Sequence, residues 1–174
     1  SARQAYTGGT TVSGGAILDL TGGGGEGGTI QGTVNITGAG SIVRATVGDA
    51  TGWGIVTNRI SAINVSNGGE LQINNGSANQ TFSNMAITLT GGSITKGPGA
   101  AAFNGNFDCF NGSTSITSNA SADTSVIGTG VNVGLRQPNT TITTALGTTT
   151  SGIDLQIDGS VNNSPANWAN PNLT

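Results

Sequence analysis

A chain of 174 residues with a formal charge of -3, five Lys and Arg and no His has room for one domain and few tools for chemistry. Its cations, Arg3, Arg44, Arg59, Lys96 and Arg136, are scattered, which argues against nucleic acid, since phosphate binding needs clustered positive charge. Without His, Ser-His-Asp and Cys-His catalysis are excluded.

Gly, Ser, Thr and Asn are abundant, a composition that usually accompanies disorder. Here only 7% of residues are charged, so self-repulsion cannot hold the chain expanded. The hydrophobic 34% sits in short patterned runs, and aromatics at 4% are too few for an ordinary globular core. Narrow stacked coils of Val, Ile and Leu suit that supply better. No apolar run approaches the roughly 20 residues that span a bilayer, so no membrane insertion is expected. The chain opens on Ser1 with no signal-peptide pattern, as a trimmed segment or a processed, exported chain would.

In chain order, the run Thr10 to Ser13 meets Gly14-Gly15 and then a second run, Ile17 to Leu20. Glycine reaches backbone angles closed to other residues, so this pair can redirect the chain in very few steps. The glycine run from Gly22 to Gly28 lacks the Lys-Ser/Thr ending of a phosphate loop. It also lacks the aspartate of a calcium nonapeptide, Glu26 being its one acid, and it reads as a turn. Beyond it a period of two recurs: Val34 and Ile36 flank Asn35, Ile63 and Val65 flank Asn64, and Leu71 and Ile73 flank Gln72. Ile87 and Leu89 flank Thr88, Val131 and Val133 flank Asn132, and Leu155 and Ile157 flank Gln156. Apolar side chains then point one way and polar ones the other, as in strands.

Gly15, Gly40, Gly69, Gly92, Gly112, Gly130 and Gly152 punctuate these strands at intervals of roughly 18 to 29 residues, the period of a solenoid coil. Two segments read as loops outside the pattern: Gly48 to Gly54 with Trp53, and Lys96 to Ala102 with Pro98. Cys109, the single cysteine, excludes an internal disulfide or a cysteine metal cage and reads as a buried structural thiol. The tail from Asn162, with Pro165, Trp168 and Pro171, is unlike a central strand and reads as a cap or an inter-subunit tail. The whole, residues 1–174, is expected to be one all-β domain of seven to nine coils. An antiparallel β-sandwich is the alternative, because Asn75-Gly76, Asn104-Gly105 and Asn111-Gly112 are hairpin signals.

Residues 6 to 20 decide between the two. Tyr6-Thr7-Gly8-Gly9-Thr10-Thr11-Val12, followed by a small-residue turn and a Leu-containing strand, resembles the passenger-associated repeat of bacterial autotransporters. The resemblance implies a right-handed parallel β-helix, a β-solenoid, secreted and held at the cell surface or outside the cell. In that family a segment ending in Leu-Thr leads through a Gly-rich strand into Tyr-Thr-Gly-Gly. Leu173-Thr174 and Tyr6 to Gly9 therefore resemble two sides of one junction.

Chemistry is sparse. Asp154 and Asp158 share a predicted strand face about 13 Å apart, too far for a glycosidase pair, and other acids can meet only by stacking between coils. Lys96 precedes Gly97-Pro98-Gly99 and reads as a solvated loop residue. No catalytic, cofactor-binding or metal-binding residues are assigned. Stacked Thr and Asn could hold ice or sugars by repetition, but the reading preferred is an ordinary polar ladder. The expected function is structural and non-enzymatic: a self-associating subunit of an extracellular fibre or matrix, or the stalk of a surface adhesin. Its expected partner is itself, head to tail, or neighbouring repeats, with Tyr6, Thr7, Gly8, Gly9, Trp168 and Leu173 at the junction. An adhesin module binding glycans or a host surface is the alternative, and a polysaccharide-active enzyme comes third.

Overall fold

A computed structural model describes residues 8–23, 27–53, 59–74, 80–82, 84–98, 105–109, 114–135 and 140–163, with 105–109 and 162–163 described as backbone alone. The first coil carries β1 (Thr10–Ser13) and β2 (Ile17–Leu20), and the second β3 (Gly32–Thr37) and β4 (Ile42–Ala45). The third carries β5 (Ile60–Ser66), β6 (Glu70–Ile73) and β7 (Gln80–Phe82). The fourth carries β8 (Ala86–Thr90), β9 (Ser93–Lys96) and β10 (Gly105–Cys109), and the fifth β11 (Ser115–Ser118), β12 (Ser125–Ile127) and β13 (Val131–Leu135). The sixth carries β14 (Thr141–Thr144), β15 (Leu155–Ile157) and β16 (Val161–Asn163).

Corresponding strands stack into three parallel sheets. The first sheet runs β1-β3-β5-β8-β11-β14, the second β2-β4-β6-β9-β12-β15 and the third β7-β10-β13-β16. Four three-stranded coils thus follow two that show two strands each. The described residues contain no helix, and all their strand pairings are parallel, so the chain is a β-solenoid and the sandwich alternative is excluded. The described residues form six coils, fewer than the seven to nine expected, because a coil consumes 24 to 29 residues along the column Thr10, Val34, Ile63, Ile87, Ile116 and Ile142.

Alternation places the core. The Val34-to-Ile116 part of that column is fully enclosed, and so is Val43 to Ile127 in the column Leu18, Val43, Leu71, Ile94, Ile127 and Ile157 of the second sheet. Each such side chain contributes about 1.5–3 kcal/mol of burial, with no large aromatic core needed. The backbone groups of one coil bond to the coils above and below, so every inner strand is paired on both edges.

The corner between the first two sheets shows why glycine recurs. At the first corner Gly14 and Gly15 adopt φ of 66° and 80°, and Ala16 N–H donates to the Ser13 carbonyl at 3.2 Å. At the third corner Gly68 supplies the positive φ of 77°, not Gly69. Gly69 is needed for closeness: a β-carbon there would stand 2.6 Å from the carbonyl oxygen of Ile36 in the coil beside it.

The first of the two expected loops is built tightly into the stack. Within Gly48 to Gly54, residues 48–53 are described, and Ala50 and Thr51 are fully buried. Their carbonyls accept from Thr29 N–H at 2.8 Å and Ile60 N–H at 3.2 Å. The same turn lies under the edge of the third sheet, where Asp49 accepts from Thr81 N–H at 3.1 Å and the Val47 carbonyl accepts from the Gln80 amide at 2.7 Å. It fills the third side where the second coil has no strand. Of the second expected loop, residues 99–102 lie outside the described residues; Lys96 is the last residue of β9, half-buried, its stem lying over Gly130. Cys109 stands in register between Phe82 and Leu135.

Candidate functional site

Carboxylates are the first place to look for catalysis, and several of the described ones bond within the stack. Arg44 donates through Nε at 2.6 Å and Nη2 at 2.9 Å to the two oxygens of Asp19 on the neighbouring coil. That hydrogen bonding holds the Asp19 carboxyl below its ordinary range and raises the Arg44 guanidinium. Glu70 accepts from the Thr95 hydroxyl. Asp154 accepts from Gly147 N–H at 2.9 Å, and Asp158 from the Gln156 amide at 2.8 Å. Among the described residues no three His, Cys, Asp or Glu gather as a metal site. Arg59 is buried, donating to the carbonyls of Ile60 at 2.9 Å and Asn84 at 3.3 Å, and desolvation lowers its pKa.

The ends of the stack are different. Of the junction residues expected from sequence, Tyr6, Thr7, Trp168 and Leu173 lie outside the described residues. Gly8 and Gly9 are exposed and lead into β1, and a β-carbon on Gly9 would stand 3.0 Å from the Thr33 carbonyl of the second coil. Among the described residues no strand pairs with the outer edge of β1 or of β14. At the β14 end the core columns come to the surface. Ile142 is 37% exposed and Val161 47%, although their column neighbours Ile116 and Val133 are fully enclosed. Leu146 at 87% and Ile153 at 45%, in the connection from β14 to β15 of the same coil, are exposed as well. Sequence reading missed these four residues. The signal was available in the alternation of Thr141-Ile142-Thr143, but only a count of coils shows that this isoleucine lies on the last one.

A second surface is the outer face of the first sheet. Its middle column is Thr11, Asn35, Asn64, Thr88, Thr117 and Thr143. Part of it is the polar ladder expected from sequence: Asn64 donates to Asn35 Oδ1 at 2.9 Å, and in the next column Ser66 donates to Thr37 Oγ1 at 3.0 Å. The middle column carries the ladder no further, while in the next column Asn119 donates to Thr90 Oγ1 at 3.3 Å. Among the described residues the side chains of Thr88, Thr117 and Thr143 make no hydrogen bond.

These features define a parallel β-solenoid with an apolar open end and a polar flat side. No family model, no curated protein and no solved structure matches the chain. The likeness to autotransporter repeats is therefore carried by residues 6 to 20 alone.

Proposed function

We propose that this chain is a non-enzymatic structural subunit of an extracellular fibre, matrix or adhesin stalk, and that it lengthens by stacking the last coil of one copy on the first coil of the next. The observation that carries this reading is the apolar end of the stack, where Ile142 and Val161 continue enclosed columns but remain exposed. A second copy is the natural cover, because its β1 would extend the same register. Ile142 would meet Thr10, and Thr144 would meet Val12, as the column order already prescribes within one chain. The open backbone edges of β14 and β1 would pair in the same contact. Such a head-to-tail contact need not close, and so it propagates.

Electron microscopy and sedimentation velocity of the untagged chain test this. Filaments should grow with concentration and show an axial repeat of about 30 Å, six steps of about 4.8 Å. Ile142→Asp should abolish them while leaving a folded monomer. A wild-type chain that stays monomeric at millimolar concentration overturns the reading.

A further inference from the structure

We propose that the outer face of the first sheet binds ice. The face is free of charge. None of the eight acids and five cations of the chain falls in β1, β3, β5, β8, β11 or β14, and no aromatic residue does either. The second sheet, built from the same kinds of coil, carries Asp19, Arg44, Glu70 and Lys96. The face is also periodic in two directions. Neighbouring strands repeat at about 4.8 Å, and outward residues along one strand at about 6.6 Å. Thr141 and Thr143 of β14 form one row and Ser115 and Thr117 of β11 the next; in the same register Ala86 and Thr88 of β8 and Ala62 and Asn64 of β5 follow, so the hydroxyls are densest toward β14.

That arrangement suits a crystal lattice of water better than any soluble ligand. The oxygen repeats on the faces of hexagonal ice are of the same order as these two spacings. A hydroxyl on such a grid holds a water at a lattice-like point, and the threonine methyl beside it fills the gap between waters. A charge would bind water more tightly and in the wrong orientation for the lattice. Each contact is weak, since an ordered water costs up to about 2 kcal/mol of entropy, so binding depends on many points acting at once. Thr88, Thr117 and Thr143 make no internal hydrogen bond and leave their hydroxyls for that role. A sugar-binding site would instead be concave, with aromatic platforms, and this face is without them.

Ice-affinity partitioning tests the proposal. The purified chain is exposed to slowly growing ice, beside a T88K/T117K variant and a Q156K variant that places one such charge on the exposed face of the second sheet instead. The wild type and Q156K should enter the ice, and T88K/T117K should remain in the liquid at the level of serum albumin. Circular dichroism verifies folding. Should the double variant fail to fold, Thr143→Lys on the exposed terminal strand replaces it, with entry into ice reduced several-fold. Exclusion of the wild type from ice overturns the proposal, and so does equal entry of wild type and folded variants. Capture of the chain by crystalline cellulose together with exclusion from ice would reassign the face to a polysaccharide.

Discussion

Ile116 and Ile142 are partners in adjacent strands, yet Ile116 is fully enclosed and Ile142 is 37% exposed. The difference is positional: β11 has a strand on each side, and β14 has one. Ile116→Ala should therefore cost about 2–5 kcal/mol, the range for emptying an enclosed site. Ile142→Ala should cost well under half as much in a dilute monomer, measured by urea unfolding. If the chains stack end to end, its penalty should grow with protein concentration. Equal, concentration-independent losses at both sites would contradict the account of the open end.

Ile63 and Leu71 point into the coil, and either one replaced by Ala should lose about 2–5 kcal/mol. Gln72 behaves differently from the expectation of a solvated outward face. It is buried between Arg44 and Thr95 in its column, and its Oε1 has no hydrogen-bond partner. Removing a buried orphan acceptor removes a desolvation cost, so Gln72→Met should be neutral or stabilising by about 1 kcal/mol. A clear destabilisation in thermal melts would show that Oε1 is satisfied in solution.

The period-two runs were legible because burial on one face selects apolar residues at every second position, as in Val34-Asn35-Ile36. Corners were legible as glycine, but not the reason for each one. Gly68 bends the chain and Gly69 makes room, and a sequence writes both as the same letter. Stacking between coils was not legible. The pairing of Asp19 with Arg44, 25 residues apart, depends on a coil length that varies from one turn to the next. The exposed end at Ile142 was hidden for the same reason, since its surroundings depend on what lies above it.

That distinction between glycines is testable. Gly15 has φ of 80° and open space around its α-carbon, so Gly15→Ala carries backbone strain alone, roughly 1–2 kcal/mol. Gly69→Ala would drive a methyl into the Ile36 carbonyl and separate two coils. Its loss should reach or exceed the upper end of the roughly 1–3 kcal/mol typical of overpacking. Urea midpoints of the two variants should fall in that order. The reverse order would mean that the third corner relaxes freely.

Acid sensitivity follows from the ion pair between Asp19 and Arg44 on neighbouring coils. Asp19 has its pKa lowered by the hydrogen bond from Arg44, so it binds its proton less readily folded than unfolded. Its contribution is therefore present above the ordinary aspartate range and is lost as pH falls through the lowered value. Both groups are exposed, and the effect is modest and screened by salt. With no His in the chain, no side chain with an ordinary pKa titrates between about pH 5 and 8, and the melting temperature should be nearly flat there. Below about pH 4 the wild type should lose stability faster than Asp19→Asn, and the two melting curves should converge. A gap between them that persists at pH 2, or that is equally wide in 1 M salt at pH 7, would show that the pair contributes by packing rather than by charge.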